Sequence, residues 1–293
     1  MTKIVGVVGL GNMGGAIAER LSTSFSVIGF DIDIKKRTEM EEVGVHTVDS
    51  LEELAPKVDV LILSMPRADI SSKIVSTASP IMKVNSIIVE TSTVLPSQVQ
   101  QMRKASSSSG IRIIDAAILG GVEHMKNKKA DLLVGDSDDV FPEVSDVLKA
   151  ISKDVQLMGG LGAGVAAKII NNGVAHAVMS VIVESAALGV KLGIQPEKIY
   201  DLLRGETALL RPLTHRYKER IRNSKYEGGM STANARKDST LYLNLAQQLN
   251  VPLFSVQGAH TVYEIAQQAG YGDLDYAAIA KLWEKWNDID FTN

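Results

Sequence analysis

The spacing of apolar residues changes near residue 162 and predicts two differently built parts. In the first part, short β-branched runs alternate with stretches of helical spacing, which is typical of βαβ units around a mainly parallel sheet. The predicted strands are residues 4–8, 27–30, 45–48, 58–63, 87–90, 111–114 and 132–134. Beyond residue 162, nearly every stretch as far as Trp286 has helical spacing, with breaks at glycines and prolines.

One helix is predicted to connect these parts. Residues 164–192 contain no proline and would form a helix about 44 Å long at about 1.5 Å per residue. The segment is apolar but is interrupted by polar residues such as Lys168 and Glu184, so we interpret it as a buried helix and not as a membrane span. The predicted fold class is α/β: an N-terminal Rossmann dinucleotide-binding domain, residues 1–162, followed by an all-α domain, residues 163–293.

The composition is that of a globular protein and excludes several classes. Of the 293 residues, 45% are hydrophobic and 22% are charged, and the net charge of −3 argues against a nucleic-acid-binding protein. The absence of cysteine excludes disulfides, cysteine-ligated zinc and thiol nucleophiles. Glycines interrupt the apolar N-terminus, so we identify no targeting segment and expect a cytoplasmic protein that binds neither nucleic acid nor membrane.

The strongest local motif is a G-x-G-x-x-G sequence between the first predicted strand and a helix. It consists of Gly9, Leu10, Gly11, Asn12, Met13 and Gly14. In that context the glycines permit a tight turn, close approach of the backbone to a pyrophosphate, and close packing of helix on strand. The alternative interpretation is an ordinary glycine turn in an α/β protein.

Asp31 supports the dinucleotide interpretation because it ends the second predicted strand, where a carboxylate accepts hydrogen bonds from the adenosine ribose. A 2′-phosphate would be repelled by this carboxylate, so NAD is expected and NADP is disfavoured. The neighbouring Lys35, Lys36 and Arg37 could neutralise Asp31 and leave that preference to be tested.

A second group of polar residues lies on the predicted connecting helix. Lys168 and Asn172 are four residues apart and share one face of the helix, whereas Asn171 points away from it. Polar groups on an otherwise apolar helix must reach water, a partner or a ligand. Lys168 is therefore either a site residue or a lysine whose stem packs on the protein while its ammonium reaches solvent.

Six motifs in order along the chain resemble those of the β-hydroxyacid dehydrogenase family, which includes 3-hydroxyisobutyrate dehydrogenase and has 6-phosphogluconate dehydrogenase as a distant relative. They are the glycine motif at 9–14, Ser64-Met65-Pro66, Glu90-Thr91-Ser92-Thr93, the segment 115–121, the Lys168/Asn172 helix, and Arg236-Lys237-Asp238. A C-terminal stretch, residues 251–275, continues the resemblance over essentially the whole chain.

The resemblance implies a role for each matching residue. The cofactor would be contacted by the glycine motif, Asp31, Met65, Pro66, Thr93 and Lys237. Lys168 matches the catalytic lysine, Asn172 the amide on the substrate side, and Gly120 and Gly121 the glycines of the substrate loop. Lysine suits proton transfer because burial disfavours its charged form, and a neighbouring cation such as Lys237 would do the same. This chemistry requires no metal, and no histidine pair has ligand spacing.

The substrate loop departs from the family pattern. Leu119 replaces the serine that precedes the two glycines, His124 with Met125 replaces a small pair, and Lys128 stands where glycine is common. The group that holds a substrate carboxylate has therefore changed or moved, and the candidates are Lys237, His124 and Arg211.

The leading interpretation is an NAD-dependent oxidoreductase that interconverts a small 3-hydroxy acid, or a sulfonate or phosphonate analogue, and its semialdehyde or keto form. One alternative is an imine reductase, a group of the same fold that generally has Asp or Tyr in place of the lysine. The other is a catalytically idle dinucleotide-binding protein, which would be expected to lose Lys168, Asn172 or Lys237. The apolar helical part predicts self-association as a homodimer or homotetramer.

Overall fold

The computed structural model describes residues 3–205 and 208–292. Two compact units divide the chain, Met1–Asn172 and Gly173–Asn293. One long helix, Ala163–Lys191, continues from the first unit into the second. It begins and ends one residue before the predicted helix of 164–192, and its first residue directly follows the predicted domain boundary at 162.

The first unit contains a sheet of eight strands. They are β1 (Ile4–Val8), β2 (Ser26–Phe30), β3 (His46–Thr47), β4 (Val60–Leu63), β5 (Ile87–Glu90), β6 (Arg112–Leu119), β7 (Asp131–Gly135) and β8 (Asp154–Gly159). Their order in the sheet is β3-β2-β1-β4-β5-β6-β7-β8, and all neighbours are parallel except β6 and β7. The first six strands have the doubly wound order of dinucleotide-binding folds, in which ligands bind at the carboxyl ends of the strands near β1.

The seven predicted strands are present, and β8 is an addition that the pattern did not indicate. Most residues of β8 are exposed, so it lacks the apolar run that marks the inner strands. Its conformation comes from pairing with β7 at the edge of the sheet. The sequence pattern reports burial, and an exposed edge strand produces little of that pattern.

Helices cover both faces of the sheet. They are α1 (Asn12–Ser22), α2 (Ile34–Glu42), α3 (Leu51–Leu54), α4 (Ala68–Ala78), α5 (Pro96–Ser107), α6 (Val122–Lys126) and α7 (Phe141–Ile151), with a 3₁₀ turn at Ala55–Lys57. Alternate strand residues enter the two resulting cores: Val5 and Val7 pack with Ile17, whereas Val8 packs with Leu54. This two-sided burial accounts for the continuous apolar strands.

The regular secondary structure in the described residues of the second unit is helical, apart from one isolated bridge between Ser231 and Asp275. Its α-helices are α8 (Ala163–Lys191, shared with the first unit), α9 (Pro196–Leu203), α10 (Thr232–Gln248), α11 (Ser255–Ala266) and α12 (Ala280–Asn287). Short 3₁₀ or π turns occur at Pro212–Tyr217, Ile221–Asn223, Gln267–Tyr271 and Tyr276–Ile279. The observed architecture therefore confirms the predicted α/β fold class with a helical C-terminal part.

The prediction that the connecting helix is buried is wrong for the single chain. Val174, Met179 and Val183 of α8 are 60%, 59% and 54% exposed. By length and composition the helix also meets the requirement for a membrane span. An apolar helix therefore has a surface that favours removal from water, but its composition does not specify what packs against that surface.

Candidate active site

In the glycine-rich turn after β1, two glycines are packed so closely that they leave no room for a side chain, whereas a third has open space beside it. A Cβ on Gly9 would collide with the carbonyl oxygen of Ser64, and one on Gly14 would collide with the carbonyl oxygen of Gly9. Gly11, the N-cap of α1, has no atom within 4 Å of a Cβ position and supplies no side-chain cap. The first turn of α1 is therefore accessible to an anion, and its N–H groups fit the pyrophosphate of a dinucleotide.

Asp31, directly after β2, is held beside this turn. Its Oδ2 accepts the N–H of Leu10 at 2.7 Å, and its Oδ1 accepts the N–H of Asp33 at 2.9 Å. Each carboxylate oxygen has further acceptor capacity for a hydroxyl group. The backbone amide of Leu10 thus orients Asp31, while the side chain of Leu10 is buried in the core.

Two of the basic residues after Asp31, Lys36 and Arg37, have hydrogen-bond partners other than its carboxylate. The guanidinium of Arg37 donates to the carbonyl oxygen of Asp31 at 2.7 Å and to the carboxylate of Asp49 at 3.0 Å. Lys36 pairs with Glu39 at 2.7 Å. The Arg37 side chain is 13% exposed, so its guanidinium is fixed by these contacts.

The loops after β4 and β5 are joined by a short hydrogen-bond chain. The N–H of Met65 donates to the hydroxyl of Ser92 at 2.8 Å, and the N–H of Ser92 donates to the carboxyl of Glu90 at 2.7 Å. Glu90 is fully buried, and this burial raises the pKa of its carboxyl group. Pro66 and Thr93 lie exposed in the same two loops, at the strand ends where the cofactor contacts are predicted.

The candidate substrate loop follows β6. Gly120 has φ of +133°, and a Cβ there would lie 3.1 Å from that of His124. The N–H of Gly121 donates to Nδ1 of His124 at 3.4 Å, and Leu119 is half-buried at the strand end. Lys128 has a φ of +55°, in the left-handed region that favours glycine. The residue that departs from the family pattern here therefore adopts a glycine-like conformation.

Lys168 and Asn172 lie on α8, one helical turn apart on the same face and both half-buried. Burial lowers the pKa of the Lys168 ammonium. Within residues 3–205 and 208–292, no carboxylate pairs with it. An amine with this environment titrates closer to neutral pH than an exposed lysine and is suited to accepting and donating a proton.

Two predicted contacts belong to the second unit. Lys237, on α10, is largely exposed and its ammonium is 3.1 Å from the carboxylate of Asp238. Arg211 is exposed and directly precedes Pro212–Tyr217. Among the described residues there is no cluster of three carboxylate or imidazole side chains that could hold a metal ion.

Sequence reasoning assigned no role to Glu90, Ser92 or Asp115, although all three are buried and hydrogen-bonded. Glu90 ends β5, Ser92 lies in the loop after it, and Asp115 lies in the middle of β6. A signal was available. Glu90 and Asp115 are acidic residues at the ends of apolar strand runs, and buried carboxyl groups require hydrogen-bond partners.

Two family models together match almost the whole chain. The NAD binding domain of 6-phosphogluconate dehydrogenase matches residues 4–160, and the NAD-binding domain of NADP-dependent 3-hydroxyisobutyrate dehydrogenase matches residues 162–283. The first match alone spans more than half of the chain.

Individual relatives cover nearly the same length. The 2-(hydroxymethyl)glutarate dehydrogenase of Eubacterium barkeri is 28% identical over 289 residues, covering 97% of this chain and 96% of that protein. The mitochondrial 3-hydroxyisobutyrate dehydrogenase of Mus musculus is 27% identical over 285 residues, which cover 94% of this chain and 85% of that protein.

Solved structures share the fold. An imine reductase from a Pseudomonas species has a TM-score of 0.87 at 20% identity, covering 97% of this chain and all of that one. The 3-hydroxyisobutyrate dehydrogenase of Mycobacterium tuberculosis with L-serine has a TM-score of 0.68 at 23% identity, and the match covers 97% of this chain and 99% of that one. The two family matches, the named dehydrogenases and the doubly wound sheet lead to one conclusion: the chain belongs to the β-hydroxyacid dehydrogenase family of NAD(P)-dependent oxidoreductases.

Proposed function

We propose that this enzyme uses NAD to interconvert a small 3-hydroxy acid, or a sulfonate or phosphonate analogue, and its semialdehyde or keto form, with Lys168 as the general acid/base. The observation that carries the proposal is the half-buried Lys168, whose pKa is lowered by burial and which has no carboxylate partner in the described parts of the chain. The relatives named for hydroxymethylglutarate and 3-hydroxyisobutyrate support this substrate class.

The chain's own residues account for the proton chemistry. In the oxidative direction the neutral amine of Lys168 accepts the hydroxyl proton of the substrate, and in the reductive direction its ammonium returns a proton to the developing alkoxide. Asn172, one turn along the same face, donates an amide hydrogen to that oxygen without titrating. When bound, NAD supplies the hydride acceptor.

The preference for NAD rests on Asp31 and Arg37. The carboxylate of Asp31 is fixed by the N–H groups of Leu10 and Asp33, so it cannot easily move away from a 2′-phosphate. Arg37 is engaged by the Asp31 carbonyl oxygen and by Asp49. Its guanidinium therefore does not neutralise the carboxylate that would repel NADP.

A lysine at position 168 favours a hydroxy acid over an imine as the substrate. Imine reductases share the fold, and two of the similar solved structures are imine reductases from Pseudomonas and Myxococcus stipitatus. The likeness to them lies at 20% and 16% identity and concerns the fold alone. Retention of Lys168, Asn172 and Lys237 also argues against an idle dinucleotide-binding protein.

We also propose that the enzyme is a homodimer or homotetramer. Val174, Met179 and Val183 expose apolar surface on α8. A second copy of the chain would cover this surface by the same helix, as symmetric interfaces do.

The test of the function is a screen of 3-hydroxy acids, sulfonates and phosphonates with NAD⁺, followed by nicotinamide absorbance and repeated with the Lys168→Ala variant. We expect the variant to bind NADH like the wild type and to lose about 10²–10⁴-fold in kcat, the usual contribution of a general acid/base. Asn172→Ala should lose less, because it moves no proton. A Lys168→Ala enzyme with wild-type kcat would refute the assignment.

A further inference from the structure

A fully buried carboxyl group lies beneath the start of the helix that carries Lys168. Asp115 is on β6, and its side chain has no solvent exposure. Its Oδ1 accepts the N–H of Gly162 at 2.6 Å, and its Oδ2 accepts the N–H of Val165 at 2.8 Å. Both donors are at the N-terminus of α8, where backbone N–H groups have no partner inside the helix.

The surrounding backbone is shaped to admit this carboxyl group. A Cβ on Gly164 would lie 2.7 Å from Oδ2 of Asp115, and a Cβ on Gly135 would collide with Oδ1. Gly135 is also the residue directly opposite Asp115 on β7. A Cβ on Gly164 would also collide with the carbonyl oxygen of Leu133 on β7. The close packing of the carboxyl group between β7 and α8 therefore depends on glycines in both elements.

This contact fixes the helix at a short distance from the candidate catalytic group. Val165 and Lys168 are three residues apart, a rise of about 4.5 Å along the helix. On the strand side, Asp115 is paired in the sheet with Glu90, whose carboxyl group holds the loop after β5. The same pair of strands therefore positions a cofactor loop and the start of α8.

We propose that Asp115 is a positioning residue for catalysis: by binding the N–H groups of Gly162 and Val165, it sets the axial position of α8 and thereby the position of Lys168. The proposal rests on the proposed function, since it acts through Lys168. A displacement of a reacting group by about 1 Å costs up to about 10²-fold in rate. Asp115 itself contacts no reacting atom.

The test compares Asp115→Asn with a matched capping carboxylate. Asp136 accepts the N–H of Phe141 at 2.8 Å at the start of α7, a helix that carries no candidate site residue. We expect Asp115→Asn to lower kcat about 10–100-fold while the Kd for NADH stays within twofold of wild type. Asp136→Asn should lower the Tm and leave kcat unchanged. Asp115→Ser, a smaller acceptor, replaces Asp115→Asn if the latter does not fold.

A double-mutant cycle separates positioning from general destabilisation. Asp115→Asn is combined with Lys168→Ala, and the single-turnover rate of nicotinamide reduction is measured in all four proteins. If Asp115 acts through Lys168, its substitution costs little more once the lysine is absent, so the losses are not additive. Additive losses, or an unchanged kcat in a folded Asp115 variant, would overturn the proposal.

The remaining outcomes are also decisive. Loss of the cooperative melt in both Asp115 variants would assign the residue to folding alone and would likewise overturn the proposal. A Lys168→Ala enzyme with wild-type kcat would refute the proposed function first. An inactive Lys168→Ala enzyme beside a fully active Asp115→Asn enzyme would refute the positioning role alone.

Discussion

Two carboxyl groups of the first unit are held by backbone N–H groups. Asp31 accepts from Leu10 and Asp33, and Asp115 accepts from Gly162 and Val165. Hydrogen bonds from fixed backbone donors orient a carboxylate without neutralising it. In both cases the position of the carboxyl group is fixed by backbone atoms, so replacing it by an amide removes a hydrogen-bond acceptor at a defined place.

The first residue-scale prediction concerns cofactor preference. Asp31→Asn should lower kcat/KM with NAD⁺ by about tenfold or more, because a hydrogen bond to a charged group contributes about 1.5–3 kcal/mol. The ratio of kcat/KM with NAD⁺ to kcat/KM with NADP⁺ should also fall, because the repulsion of the 2′-phosphate is removed. Steady-state kinetics with both cofactors provide the measurement. Asp33→Asn, at the N-cap of α2, is the matched control, and a wild-type enzyme that prefers NADP⁺ would contradict the prediction.

A second residue-scale prediction concerns the altered substrate loop. Leu119 offers no hydrogen-bond donor, so Leu119→Ser should improve turnover of ordinary 3-hydroxy acids relative to the native substrate. If the acid group is held elsewhere, either His124→Ala or Arg211→Ala should raise the KM for the native acid. Leu157→Ser, at an exposed leucine of β8, is the control. An unchanged ranking of substrates in all three variants would place residue 119 outside the substrate site.

At the scale of elements, helix ends depend on distant side chains. The carboxyl group of Glu184, in the C-terminal third of α8, accepts the N–H groups of Phe254 and Ser255, each at 2.9 Å, at the start of α11. Burial alone would raise the pKa of Glu184, but the N–H groups of Ser255, Phe254 and Val256 together hold it below its ordinary value of 4.5. The charged form is therefore the one that links α8 to α11.

We expect Glu184→Gln to lower the free energy of unfolding at pH 7 by about 1–3 kcal/mol. Because the folded-state pKa is depressed, this contribution is complete above the unfolded-state pKa and is lost as the pH falls through the folded-state value. The difference between wild type and variant in denaturant melts should therefore be largest at neutral pH and shrink below about pH 4.5. Glu227→Gln, at an exposed glutamate of the same unit, controls for the loss of charge. A difference that is independent of pH would contradict the prediction.

At the scale of the whole molecule, the proposed self-association is tested at the exposed apolar residues of α8. Met179 and Val183 are one turn apart and share a face. A helix interior to a soluble monomer would cover such residues, whereas a symmetric dimer covers them with a second copy.

Replacing both Met179 and Val183 with glutamate should raise the dissociation constant of self-association by at least about tenfold, since each charge would enter an apolar interface. Light scattering during size-exclusion chromatography measures the mass. Val84→Glu, at an apolar residue that is 73% exposed in the first unit, is the control. A wild-type protein that is monomeric at all concentrations would contradict the prediction, as would a double variant with unchanged mass.

The sequence by itself determined the alternation of strands and helices around a mainly parallel sheet, the helical second part and the glycine turn, because each of these produces a local pattern. A strand buried on both faces requires a continuous apolar run, as in Val60–Leu63, and the close packing around Gly9 and Gly14 admits no side chain. Such constraints act on residues that are close in sequence, so they can be recognised as local sequence patterns.

Only the tertiary structure decided which distant groups meet. The partners of Asp115 are 47 and 50 residues away in sequence, and those of Glu184 are 70 to 72 residues away. The exposed strand β8 likewise exists because β7 offers it a hydrogen-bonding edge. A hydrogen bond between remote elements places no periodic demand on the residues between them, so the sequence carries the donors and acceptors while the fold alone pairs them.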